Sequence, residues 1–126
     1  MKKMLYIASL LGAGLMTSLH AVAGVDAARQ NELLYFIKHD CGSCHGMTLK
    51  GGLGPALLPE TLAAKPRDYL VNTILLGREN TAMPPWNTML SRDDAEWITE
   101  QLQDGKVMET ELVLNKKSQD LSGTGK

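Results

Sequence analysis

The chain has 126 residues, 44% of them hydrophobic, and a formal net charge of −1 that turns two units more acidic if Lys2 and Lys3 are lost by processing. Such a length makes one modest domain, and such a charge excludes a nucleic-acid binder, which needs a concentrated basic surface. One Phe, two Trp and three Tyr leave few bulky groups to fill an interior, a shortage that a large apolar cofactor would relieve.

Lys2 and Lys3 precede an uncharged apolar stretch over residues 4–19, and Ala21-Val22-Ala23 follows it. This is the pattern of a cleavable export signal. The stretch is shorter than the roughly 20 residues of a spanning helix, so residues 1–23 read as a leader removed before Gly24, not as an anchor. The expected compartment is a bacterial periplasm, with one domain over residues 24–114 and a polar, flexible tail over residues 115–126.

Residues 26–40 predict a first helix, with Leu33, Phe36 and Ile37 at helical spacing, Leu34 widening the stripe, and Arg29, Asn31, Glu32 and Lys38 on the other side. Residues 46–64 are broken by Gly46, Gly51, Gly52, Gly54, Pro55 and Pro59 and exclude a long regular element. A second helix starts near Pro66, carries Tyr69, Leu70, Ile74 and Leu75, and stops at Gly77. A loop over residues 78–90 contains Met83-Pro84-Pro85-Trp86. The third helix has the clearest start, with Ser91 as cap and Asp94 as its reciprocal partner. Trp97, Ile98, Gln101 and Leu102 form its expected inner face, and Gly105 ends it. Trp97 is expected to pack this helix on the first, near Phe36 and Gly42. No run of alternating residues suggests a sheet, so the fold class is all-α.

The two cysteines, Cys41 and Cys44, stand three residues apart with His45 directly behind them. A thiol-exchange pair belongs beside a strand in a βαβ unit, which this chain lacks. Zinc needs four ligands around a tetrahedron, and His39, Cys41, Cys44 and His45 are too crowded for one. Cys-x-x-Cys-His is the attachment sequence of a c-type haem. The thiols add across the two vinyl groups, and His45 is aimed at the iron. Attachment after export also explains why the pair does not close into a disulfide in an oxidising compartment.

A second axial ligand has to come from far along the chain. Met47 is tied to the His45 side, and Met108 lies near the tail. Met83 sits in an irregular loop stiffened by Pro84 and Pro85 and is the expected ligand, with Met89 the runner-up and His39 read as solvated. The glycines at positions 51, 52 and 54 let the backbone pass close to His45, so that the carbonyl of Pro55 can accept from its other ring nitrogen. Trp86 is expected on the haem edge or beside a propionate, with an ordinary core position as the alternative.

From the helix before Cys41-Gly42-Ser43-Cys44-His45, through Gly54-Pro55 and Met83-Pro84, to the helix holding Trp97, the chain resembles a class I cytochrome c. More closely, the runs CGSCHGMTLKGGLGPAL, LLGR, AMPPW and LSRDDAEWI resemble those of NirC-type cytochromes, small periplasmic monohaem proteins of denitrifying bacteria. The resemblance implies an electron carrier with one covalent haem c and no substrate turnover of its own. Its implied partner is cytochrome cd1 nitrite reductase or a haem d1 maturation protein, with no membrane in the mature form. Pro85 and the polar C-terminal extension depart from the pattern. The expected mechanism is outer-sphere transfer of one electron, with Lys50, Lys65 and Arg78 rimming the exposed haem edge. Two alternatives stand beside it: a sensor with an open axial position, and a haem d1 assembly factor that acts by binding.

Overall fold

The structure is a computed structural model and describes residues 24–122; the expected leader lies outside the described residues. Among the described residues the chain forms six helices and no strand: α1 (Ala27–Phe36), α2 (Gly42–His45), α3 (Pro59–Leu62), α4 (Arg67–Leu76), α5 (Arg92–Gln103) and α6 (Lys106–Ser122). A π-helical turn, Ile37–Cys41, joins α1 to α2 without a break.

Asp26 starts α1 by accepting from the Arg29 amide at 2.9 Å, which satisfies an otherwise unpaired amide of the first turn. The helical path runs past the expected end at Asp40 and through the whole cysteine motif to His45. The π turn adds a residue to the register at the end of α1, where Gly42 donates to Ile37 O. Leu33, Phe36 and Ile37 are all buried, as their spacing predicts.

At α5 the expected reciprocal cap is present: Asp94 N donates to Ser91 Oγ at 3.1 Å and Ser91 N to Asp94 Oδ2 at 2.9 Å. Its buried face is Ala95, Ile98, Thr99 and Leu102; Trp97 and Gln101, expected at its centre, flank it half-buried. The indole set edge-on against the Phe36 ring, at 4.9 Å, is that of Trp86, and Trp97 packs against the core cluster that contains Phe36. An ion pair also reinforces the start of α5. Arg29 Nε and Nη2 reach the two Asp94 oxygens at 3.1 and 3.0 Å, and Nη2 also donates to Met89 O at 3.2 Å. The guanidinium holds the Asp94 carboxyl below the usual carboxylate range.

Two elements were not expected. One turn, α3, brings buried Leu62 onto the core, and Gln103 Nε2 ties that segment to α5 through Leu62 O and Lys65 O. Directly after Gly105 the chain turns into α6, which buries Val107 and continues through Ser122, so the stretch 115–122 of the expected tail is helical. Lys116, Lys117, Gln119 and Leu121 are good helix formers and continue the helix through that stretch.

Candidate haem site

α2, the loop after it, α4, the segment 78–86 and α5 enclose a cleft of about 560 Å³, within the size range of cofactor sites. Cys41 lines it from the end of the π turn, Cys44 and His45 from α2, Pro55 from the glycine loop, and Met83 and Trp86 from the loop after α4. Six sequence-predicted site residues thus meet at one place. Leu57, Leu62, Leu70, Ile74, Ile98 and Leu102 give it apolar walls. In α4, Leu70 and Ile74 are accordingly half-buried, whereas Val71 is fully buried. Tyr69, Leu70 and Ile74 of the expected stripe face the cleft, and Val71 faces the protein interior.

Continuous helical backbone from the π turn into α2 puts Cys41 and Cys44 one turn apart on the same side, and both thiols are free. Burial, with Asp40 beside it, pushes the Cys41 thiol up to about 12. The position disfavours a thiolate and suits a neutral thioether. His45 is buried, and its Nδ1 lies 2.7 Å from Pro55 O. A carbonyl can only accept, so Nδ1 carries the proton and Nε2 keeps its lone pair for a metal.

Gly54 makes that arrangement possible. A Cβ there would lie 2.7 Å from His45 Cε1 and 2.8 Å from Nδ1, so the main chain lies against the imidazole ring with no room for a methyl group. The loop is stitched to the motif by Gly51 N to His45 O and Gly54 N to Cys44 O, both 2.8 Å. Leu49, which sequence reading passed over, anchors the loop in the core at φ 58°. A buried branched side chain in the left-handed region carries strain that burial and flanking hydrogen bonds offset.

The other candidate ligands stay out of the cleft. Met47 is 57% exposed and Met89 is 59% exposed. Met108 packs against the core, and exposed His39 lies against Tyr35 with ring centroids 4.1 Å apart. Among the described residues no group of three or more His, Cys, Asp or Glu side chains gathers as a metal-ion site. Lys65 and Arg78 line the cleft, whereas Lys50 does not. The donor set therefore suits a ring held by two thioethers and one imidazole: two free thiols, one available ring nitrogen, one thioether and apolar walls at a single cleft.

Fold and site together define a c-type cytochrome. Residues 26–100 match the family model described as cytochrome c oxidase, cbb3-type, subunit III, and the chain belongs to this family of c-type cytochrome domains, with a covalently bound haem c. Such domains are in general electron carriers.

Particular relatives narrow the comparison. Cytochrome c55X of Pseudomonas aeruginosa is 55% identical over 82 residues, 65% of this chain and 69% of that one. Cytochrome c55X of Stutzerimonas stutzeri is 45% identical over 95 residues, 75% of this chain and 84% of that one. The solved structure of c-type cytochrome NirC aligns with a TM-score of 0.65 at 55% identity, covering 65% of this chain and 96% of that one. The all-α class I cytochrome architecture expected from the sequence is thus found. Among the described residues no helix is long and apolar enough to cross a membrane.

Proposed function

We propose that this chain is an exported, periplasmic one-electron carrier of denitrification, its haem held by Cys41 and Cys44 and its iron by His45 Nε2 and Met83 Sδ. The supporting observation is the convergence of His45, locked to Pro55 O at 2.7 Å, and Met83 on the same cleft. When bound, the haem supplies an iron that alternates between Fe(II) and Fe(III).

The chain's own residues fix what that iron can do. The Pro55 carbonyl holds the His45 ring in one tautomer and raises the basicity of Nε2. Met83 would hold the iron together with His45 and, as a thioether, favour the reduced state. With both positions filled, a small molecule has no place to bind, which leaves outer-sphere electron transfer. Leu70, Ile74, Ile98 and Leu102 exclude water from the cleft and favour the less charged reduced form. Trp86, wedged between the cleft and Phe36, is placed to pack on the ring, and Lys65 and Arg78 line the cleft where a redox partner would dock over a small, transient contact.

The partner we infer is cytochrome cd1 nitrite reductase, or a protein that matures its haem d1. This rests on the 55% identity to c-type cytochrome NirC and on the sequence resemblance given above. Optical spectra of the periplasmic product test the axial assignment: a weak long-wavelength Met–Fe(III) charge-transfer band is expected when oxidised, and its absence would favour the open-site sensor. Rapid mixing of the reduced protein with cytochrome cd1 tests the partner. Fast oxidation supports a donor; no transfer, with tight capture of a haem d1 maturation protein in both redox states, would favour an assembly factor.

A further inference from the structure

The segment that carries Met83 leans on a residue without a side chain. Gly77 ends α4 at φ 68° and ψ −164°, a conformation essentially reserved to glycine. A Cβ there would come within 2.7 Å of Met83 O and Pro84 C and 2.8 Å of Pro85 N. These are main-chain atoms, and the two prolines stiffen them, so they cannot swing aside as the tip of a long side chain would. Hydrogen bonds seal the same contact: Arg78 N donates to Met83 O at 3.1 Å, and Trp86 N and Asn87 N donate to Ile74 O and Leu75 O, both at 3.2 Å. The end of α4 and the methionine segment lie main chain against main chain.

A glycine that only stops a helix needs freedom of φ and open space. Gly105 comes closer to that description, with φ 72° and only side-chain atoms of Pro59 nearby, the nearest at 3.0 Å. Gly77 has the same backbone demand and, in addition, the backbone of Met83 directly over its α-carbon. We propose that Gly77 is a positioning residue for the axial sulfur, its missing Cβ setting how closely Met83 is pressed toward the cleft and how firmly the thioether holds the iron. This rests on Met83 being the second axial ligand.

The test uses the full chain exported and haem-loaded in a bacterial periplasm, as wild type, Gly77→Ala and Gly105→Ala. The wild-type oxidised spectrum is read first: without the Met–Fe(III) band, the axial reading fails before Gly77 is tested. Given the band, Gly77→Ala should keep its covalent haem, lose most of the band and bind added imidazole to the ferric iron about tenfold more tightly. Imidazole competes with the thioether, so its apparent affinity follows the population in which the sulfur is released. Gly105→Ala should lose thermal stability but keep both the band and the wild-type imidazole affinity. A Gly77→Ala protein with unchanged band and affinity, or a Gly105→Ala protein changed as much, overturns the proposal. Should Gly77→Ala accumulate no haem protein, Arg78→Pro is compared with Arg78→Ala. Only the proline variant removes the donor to Met83 O, and it should bind imidazole about threefold more tightly than the alanine variant; equal affinities overturn the proposal.

Discussion

Residues 46–58, beside His45, fold back on the cysteine motif through their own main chain, whereas residues 77–90, which carry Met83, are held from outside. In the first segment Leu49 bonds to Gly46 and Leu57, Gly51 to His45, and Gly54 to Cys44 and Gly52. Every partner lies within about a dozen residues, so closing the loop costs little entropy. In the second, short bonds such as Arg78 N to Met83 O are joined by restraints from two helices: Ile74 and Leu75 of α4 accept from Trp86 N and Asn87 N, and Arg29 of α1, sixty residues away, donates to Met89 O. The imidazole side is a product of local chain chemistry and the sulfur side a product of packing. A cytochrome built this way should release its thioether long before its imidazole.

The comparison is broken most completely at His45. His45→Ala should abolish accumulation of stable haem protein, read as loss of haem staining in periplasmic extracts, while Met83→Ala should leave covalent haem with an open axial position that binds carbon monoxide when reduced. Next is Gly54→Ala, whose Cβ would overlap the His45 ring. Overpacking at that contact should cost about 2–3 kcal/mol in urea unfolding. It should also raise the reduction potential, because a lost Pro55 bond makes Nε2 a weaker donor to Fe(III). Gly77→Ala should move the potential the opposite way, since released sulfur no longer favours Fe(II). Opposite signs from two glycine substitutions would sharpen the contrast, and equal signs would break it.

A smaller effect is expected at Arg29. A third of that side chain is open to solvent and Asp94 is buried, so Arg29→Met should cost about 2 kcal/mol, less than breaking a fully buried pair. The pair lowers the folded pKa of Asp94. Its contribution is therefore complete above the unfolded carboxylate pKa of about 3.9 and is lost as pH falls through the depressed folded value. Urea titrations should show the stability gap between wild type and Arg29→Met shrinking below about pH 4, with no matching change in the Met–Fe(III) band at neutral pH. The smallest effect belongs to Thr81→Ala, which removes the hydroxyl that accepts from Met83 N at 3.2 Å. At an exposed site this should cost about 0.5–1 kcal/mol and be visible mainly as a slight rise in imidazole affinity.

The helix starts were the most legible part of the fold. Ser91 with Asp94 was read as a reciprocal cap and acts within one turn, so its chemistry is written in adjacent letters; the first helix was read from residue 26, where Asp26 caps it in the same local way. The stop at Gly77 was legible as well, but the use of its missing Cβ was not, because that depends on which loop comes to rest over it. The two tryptophans show the same limit: Trp97 on periodic α5 was legible as a packing residue, whereas Trp86, the ring that meets Phe36 edge-on, comes from a loop with no periodicity to read. In α4 the apolar residues were legible, but not what they face: Tyr69, Leu70 and Ile74 line the cleft, which only the packing of the other elements around it reveals. The helix α6 was missed because neither a capping signal nor a clear stripe marks it.

What the sequence alone determined is the chemistry that acts over a turn or two of chain: two thiols and an imidazole on one helical turn, caps that satisfy end amides, glycines that let a backbone pass a ring. What only the tertiary structure decided is which distant groups meet. Four methionines follow the motif's first cysteine, and their letters are equivalent; Met83 reaches the cleft because the end of α4 presses its main chain there, while Met47, Met89 and Met108 do not line it. The reason is physical: bonding within a turn depends on residue type and spacing, whereas contact across the chain depends on the path of everything between.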